Sequence, residues 1–329
     1  MRPFAFARPD DIGAALLSHG LGAAYLAGGT TLLDLMKLDV MRPSRLIDIG
    51  AVARDHSEIS LTADGLRLGA MARMADVADD PGVARDYPVV AQSLALAASP
   101  QLRNMATLGG NVLQRTRCPY FRDPSFAHCN KRDPGSGCDA LDGINRKQAV
   151  LGVSDQCIAA YPGDFAQALV ALDAAVCLAG LDGERVLRFA DLHLEPGDRP
   201  DVETVLRPGE IIVAFEIPAR AWTRRSLFLK IRDRQSYEFA LASAAVALEL
   251  RDGAIAEARI GLGGVATRPW RAHAAEAALI GQAPSRMIFE AAAEAAFLRA
   301  QPRDGNRYKI ALGRQTLVRA LTQAAEMQV

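Results

Sequence analysis

Ala27-Gly28-Gly29-Thr30-Thr31-Leu32 follows a short apolar run, Ala23-Ala24-Tyr25-Leu26, and precedes Leu33-Asp34-Leu35-Met36-Lys37-Leu38. The flanks read as a buried strand and a short helix, so the Gly-Gly-Thr-Thr segment is the turn between them. Two glycines let a backbone approach a ligand closely and aim successive N–H groups at one point. Such a nest beside a helix N-terminus suits phosphate oxygens, and the two threonines add hydroxyl donors. An ordinary tight turn is the alternative reading. The segment is neither the Gly-x-Gly-x-x-Gly of a dinucleotide fold nor a Gly-Lys-Thr phosphate loop. A second turn of the same kind, Thr107-Leu108-Gly109-Gly110-Asn111, lies further along the chain. Together the two can grip the two ends of a diphosphate-bearing cofactor.

Outward from these turns, the pattern predicts an α+β chain. Asp10 is placed to cap a helix over residues 12–18. Strands are expected at 45–49, 66–70, 175–179, 186–189 and 211–217, and a strand-like segment at 157–161. Helices are expected at 74–78, 89–98 and 165–172, the last capped by Asp164. Residues 218–225 read as a linker. Beyond them come three strands, 227–231, 240–251 and 255–263, with a hairpin turn at Asp252-Gly253, then alanine-rich helices at 272–280, 285–299 and 308–328. The expected division is therefore residues 1–220 and 221–329.

The sequence has 329 residues, half of them hydrophobic, and 38 Lys plus Arg balance 38 Asp plus Glu. That length suits two or three domains. Zero formal charge gives no electrostatic reason to expect nucleic acid or an anionic membrane as partner. No segment approaches the roughly 20 apolar residues of a membrane span, and the N-terminus lacks the apolar core of a signal peptide. The chain alone reads as cytoplasmic and soluble. A partner carrying an export signal could bring it, folded, to the periplasm.

Four of the five cysteines, Cys118, Cys129, Cys138 and Cys157, fall in one stretch rich in Pro, Gly, Asp and Arg, spaced by ten, eight and eighteen residues. The stretch, about residues 114–157, reads as a long loop, which in a compact domain is usually functional or disordered. Four soft ligands suggest a metal centre. The spacing lacks the Cys-x2-Cys pairs of common zinc sites and bacterial ferredoxins, so zinc and iron–sulfur both stay open at this level. His128 is a further possible ligand, though a solvated loop histidine is the plainer reading. Arg117, Arg122, Lys131 and Arg132 either offset thiolate charge or keep the loop soluble. Cys177, in Ala174-Ala-Val-Cys-Leu-Ala179, reads as a buried structural thiol. Strand alternation puts Lys230, Arg232 and Arg234 on one face. No Ser–His–Asp set, His-x-x-x-His pair or close carboxylate pair stands out, so hydrolytic chemistry has little support.

Taken together, Ala27-Gly-Gly-Thr-Thr-Leu32, Leu66-Arg-Leu-Gly-Ala70 and Gln101-Leu-Arg-Asn-Met-Ala-Thr-Leu-Gly-Gly-Asn111 resemble the FAD-binding medium subunit of molybdenum hydroxylases, the xanthine dehydrogenase, aldehyde oxidase and CO dehydrogenase family. Arg207-Pro-Gly-Glu-Ile-Ile-Val-Ala-Phe-Glu-Ile-Pro218 and Gly261-Leu-Gly-Gly-Val-Ala-Thr-Arg-Pro-Trp270 are similar to its later segments. The resemblance implies a two-lobed FAD-binding domain of the vanillyl-alcohol-oxidase type. A small C-terminal domain with a three-stranded antiparallel sheet and helices would follow. It also implies that Leu26, Ala27, Gly28, Gly29, Thr30, Thr31, Leu32 and Leu33 hold the FAD pyrophosphate, chiefly through backbone amides. Thr107, Gly109, Gly110 and Asn111 would close over the cofactor, Asp164 would contact it, and Ile212 and Lys230 would lie near the flavin ring. Lys230 would stabilise negative charge on the reduced ring.

Most of the family passes quickly from the Gly-Gly-Asn turn to the next strand. A [4Fe–4S] insertion at this point belongs to the flavin subunits of 4-hydroxybenzoyl-CoA reductase and of bacterial periplasmic-type aldehyde oxidoreductases. Gln114-Arg-Thr-Arg-Cys118 and Cys129-Asn-Lys-Arg-Asp-Pro-Gly-Ser-Gly-Cys138 look closest to the latter. That resemblance, not the spacing, selects Cys118, Cys129, Cys138 and Cys157 as ligands of a [4Fe–4S] cluster. The implied partners are a large molybdopterin-binding subunit that oxidises an aldehyde or N-heterocycle, a small [2Fe–2S] subunit, and an external electron acceptor. Ser236-Tyr237-Glu238 departs from the acidic loop of nicotinamide-using relatives, which puts NAD as acceptor in doubt. The readings left open are a flavin subunit like that of 4-hydroxybenzoyl-CoA reductase, a zinc-stapled nucleotide-binding adaptor, and a self-sufficient flavin oxidase.

Overall fold

The computed structural model describes residues 1–329. Three sheets order the chain. The first is parallel, β1 (Ala5–Ala7), β3 (Arg45–Asp48) and β2 (Ala23–Leu26), with β3 in the middle. The second is antiparallel, in the order β4 (Ile59–Leu61), β5 (Gly65–Gly69), β8 (Ile211–Pro218), β6 (Ala175–Gly180) and β7 (Gly183–Arg188). The third is antiparallel, β12 (Trp270–Arg271), β11 (Ala254–Gly263), β10 (Ala242–Arg251) and β9 (Ser226–Ile231). No helix is long and apolar enough to cross a membrane.

Composition explains the placement. The strand β8, Ile-Ile-Val-Ala-Phe-Glu-Ile-Pro, is central and buried apart from Glu216 and Pro218, as a nearly continuous apolar run requires. At the sheet edge, β7 carries Glu184, Arg185 and Arg188 and is mostly exposed, which blunts a strand that lacks a partner on one side. The β10–β11 hairpin turns at Asp252-Gly253, both with positive φ (53° and 79°), the backbone that a two-residue hairpin of primed type needs. Behind that sheet pack the helices His273–Leu279, Arg286–Phe297 and Tyr308–Glu326.

Several expectations need correction. The helix Ile12–Ser18 is capped by Asp11, not Asp10, through a bond from Ala14 N. Asp164 precedes the helix Phe165–Ala171 but does not cap it with its side chain, which turns to Lys230 instead. Residues 157–161 form no strand; only Cys157 makes a local bridge, to Ser154, and the other backbone bonds of the segment go to separate partners, Ala149 N to Ile158 O and Tyr161 N to Ala266 O. The C-terminal sheet has four strands, not three. The extra one, Trp270–Arg271, pairs only with Leu262 and Gly261 and is too short to leave an alternating pattern. Separately from these corrections, packing crosses the expected boundary near residue 220. Trp222, Phe228, Ala245 and Ala247 share one core with Phe165, Phe189 and Phe215, while Val150 and Leu151 enter the core of the C-terminal sheet.

Candidate cofactor cleft and cysteine cluster

The turn after β2 leaves the backbone N–H groups of Gly28, Gly29, Thr30 and Thr31 without any acceptor in the chain. Gly29 has φ +73°, and a Cβ there would meet Leu33 Cδ1 at 2.9 Å and Leu26 Cδ1 at 3.4 Å. Leu26 and Leu33 therefore buttress the turn from behind and do not line the cavity before it. A cavity of about 230 Å³ opens there, walled by Ala27, Gly28, Gly29, Thr30, Thr31, Leu32, Thr107, Gly109, Gly110 and Ile212 among others.

The second glycine turn behaves differently. Gly109 N donates to Ala70 O, Asn111 N to Thr107 O, and Gly110 N to Thr107 Oγ1. Its amides are spent on the protein, so it offers shape and the Asn111 side chain. The first turn presses against the residues that lead into the second. A Cβ on Gly28 would lie 2.1 Å from Met105 O, and Arg73 Nη1 donates to that same carbonyl.

A larger cavity of about 460 Å³ shares Thr30 and Thr31 with the first and continues to Asn111, Arg117, Asp164 and Phe239. Asn111 Oδ1, Arg117 Nε and Asp164 Oδ1 are buried without hydrogen-bond partners. Three orphaned polar atoms on one cavity wall are costly unless a ligand satisfies them. Lys230 is not on that wall. Its Nζ donates to Asp164 Oδ2 at 2.5 Å and to Leu96 O at 3.1 Å, with both side chains almost fully buried, 1% and 3% exposed. Burial pushes the Asp164 carboxyl up, and the Lys230 ammonium opposes it. Arg232 also reaches Leu96 O, but Arg234 turns to Tyr237 O, because β9 ends at Ile231 and alternation ends with it.

Arg117, Asp34 and Phe239 were not among the expected site residues. Arg117 lies over the Phe239 ring at 4.8 Å, and both Arg117 and Arg122 donate to Asp34 Oδ2, at 3.0 and 2.8 Å. No local pattern marks them; only the fold brings residues 34, 117 and 239 together.

Cys118, Cys129, Cys138 and Cys157 gather around one small core with Leu35, Phe121 and Ile158, and all are free. Cys129 and Cys138 face each other across a hairpin. Asn130 Oδ1 closes it by accepting from Gly135 N and Gly137 N. Burial pushes the Cys118 thiol up to about 12 and the Cys157 thiol up to about 11; Cys138 is raised by the same cause, and neighbouring cysteines add to each shift. No group of three or more His, Cys, Asp and Glu side chains is set to hold a metal ion. His128 is mostly exposed and its Nδ1 pairs with Asp139 Oδ1 at 2.9 Å. The flanking cations are engaged in structure. Arg132 donates to the carbonyls of Tyr120, Phe121, Asp123 and Phe126, and Lys131 pairs with Glu203 at 2.7 Å. Cys177 lies apart, buried in β6.

A parallel sheet with an open glycine turn, a five-stranded antiparallel sheet beyond it and a four-stranded C-terminal sheet define a flavoprotein subunit class. The chain belongs to the FAD-binding medium subunits of the molybdenum hydroxylases. Residues 2–220 match the FAD binding domain in molybdopterin dehydrogenase, and residues 228–325 match the CO dehydrogenase flavoprotein C-terminal domain. Over 327 residues the chain is 44% identical to the aldehyde oxidoreductase FAD-binding subunit PaoB of Escherichia coli (strain K12), covering 98% of this chain and 99% of that one. It is 27% identical to the carbon monoxide dehydrogenase medium chain of Hydrogenophaga pseudoflava, covering 98% and 96%. Among solved structures, carbon monoxide dehydrogenase from Hydrogenophaga pseudoflava superposes with a TM-score of 0.76 at 28% identity, covering 98% of each chain. Quinoline 2-oxidoreductase from Pseudomonas putida 86 superposes at 0.74 and 26%, covering 99% and 98%.

Proposed function

We propose that the chain relays electrons from a small [2Fe–2S] subunit through FAD to an external acceptor, while a large molybdopterin-binding subunit oxidises the organic substrate. The observation that carries the cofactor site is the run of four unpartnered N–H groups, Gly28 to Thr31, opening on a cleft that leads to three orphaned polar atoms. The amides suit the pyrophosphate oxygens. Asn111 Oδ1 and Asp164 Oδ1 accept from ring or ribose donors, and Arg117 Nε donates. Lys230 acts through Asp164, opposing the burial that raises that carboxyl and fixing it in the wall. When bound, the flavin supplies exchange between one- and two-electron steps; the chain supplies its position and electrostatics. The purified protein is expected to release FAD in stoichiometric amount. Asn111→Ala with Asp164→Asn is expected to strip most of it. Full FAD retention by that double variant would overturn the site.

The relatives support a reading of the complex and of the substrate class. The 44% identical subunit belongs to an aldehyde oxidoreductase, and an aldehyde is the substrate class we assign to the complex. The isolated chain is expected to turn over no aldehyde, and the assembled complex to do so. Turnover by the chain alone would make it a self-sufficient oxidase. We also assign the division near residue 220, supported by the two matched ranges. Export in the company of a signal-bearing partner fits the periplasmic type; fractionation of cells decides it.

We further propose a [4Fe–4S] cluster on Cys118, Cys129, Cys138 and Cys157. Cys118, Cys129 and Cys157 share one buried core, Cys138 packs against it and all four are free; Cys118 and Cys157 each accept an N–H hydrogen bond, from Gln148 and Ala159. Thiols raised so far by burial stay protonated at neutral pH and release protons only to metal. Cys129→Ser or Cys138→Ser is expected to lower iron while FAD stays. Unchanged iron, or stoichiometric zinc in the parent, would overturn the assignment.

A further inference from the structure

Gln148 is the one side chain that donates a hydrogen bond to a cysteine sulfur, with Nε2 3.3 Å from Cys118 Sγ. Both residues are buried. Its place is fixed from several sides. Gln148 N donates to Asn145 O at 2.9 Å. The carbonyl before it, Lys147 O, accepts from Lys309 Nζ at 2.9 Å, and Lys309 also donates to Gly264 O at 2.7 Å. The carbonyl after it, Ala149 O, accepts from Asn306 Nδ2 at 2.9 Å.

Cys118 also lines a small cavity that adjoins the cleft. A small cavity of about 120 Å³ is lined by Cys118 and Gln148 together with Arg117, Pro162, Glu238 and Phe239. Those last four residues also wall the 460 Å³ cavity. The amide thus meets the sulfur on the side through which the cysteine core and the cofactor cleft approach each other.

We propose that Gln148 sets the electron affinity of the cysteine-bound centre by donating to the Cys118 thiolate. This inference rests on the iron–sulfur reading above. Adding an electron raises the negative charge on the cluster sulfurs, so an N–H donor stabilises the reduced form more than the oxidised one. Burial keeps water from substituting for it. The hydrogen bond therefore raises the reduction potential and favours residence of the electron at this centre.

The test uses the whole complex, parent and two variants of similar side-chain length, Gln148→Met and Gln148→Glu. Iron and FAD are assayed, and the cluster is titrated reductively by electron paramagnetic resonance. Full iron with a midpoint shifted negative, further for the glutamate, supports the proposal. Full iron with an unmoved midpoint overturns it and leaves the cluster reading intact. A parent without iron overturns the cluster reading itself. Should both variants lose iron, the parent is prepared with heavy nitrogen in its glutamine side-chain amides. A nitrogen coupling to the reduced cluster then sustains the proposal, and none overturns it.

Discussion

Single residues set the cleft. Gly28 has no room for a methyl group, because its neighbour is a backbone carbonyl, Met105 O, that cannot swing away. Gly28→Ala is expected to cost about 1–3 kcal/mol through forced backbone shifts and to lower FAD retention, read by thermal unfolding and flavin absorbance. His193 is buried between Tyr161 and Phe189, and burial lowers its pKa from 6.5 to about 4. Between those values the unfolded chain binds a proton that the folded chain does not. The stability it contributes is full above the ordinary histidine value and is lost as pH falls toward about 4. His193→Gln removes that dependence. The stability gap between parent and variant is expected to move in the variant's favour by about 2 kcal/mol from pH 6.5 to 5, measured by denaturant unfolding at each pH. The glycines were legible in sequence because their chemistry is local. His193 and Arg117 were not: their roles come from what the fold packs against them.

At the scale of elements, the cysteine segment is ordered by a guanidinium and turns, not by strands or long helices. Arg132 gathers four carbonyls between Cys118 and Cys129. Arg132→Gln is expected to free that stretch, lowering iron content and raising protease cleavage between those cysteines while FAD is retained; unaltered iron and cleavage would refute this role. Elements with a long apolar run or a strong period, such as β8 and Tyr308–Glu326, were readable within a few residues. Caps were less so. Asp10 and Asp11 are chemically equivalent choices in the sequence, and only geometry selects Asp11. Asp164 looked like a cap because nothing in the chain near it announces Lys230, sixty-six positions away.

Across the whole molecule, the two matched regions interlock. Phe228 and Ala245 complete the core around Phe165, and Val150 and Leu151 complete the core of the last sheet. The chain is therefore expected to unfold in one calorimetric transition, and a fragment ending at residue 220 to lack a stable fold; two separated transitions would contradict this. The order of elements was legible, since patterning carries it. The interlock was not, since periodicity says which face is apolar and not what covers it.

The anchoring of the cysteine segment also has a temporal side. Lys147 O waits for Lys309, which follows 162 positions later in the chain. At about 5–20 residues per second, the ribosome delivers that lysine roughly ten to thirty seconds after the segment emerges. The thiols are thus synthesised well before the lysine that anchors their segment, so the cluster proposed above would be completed only once residue 309 has emerged.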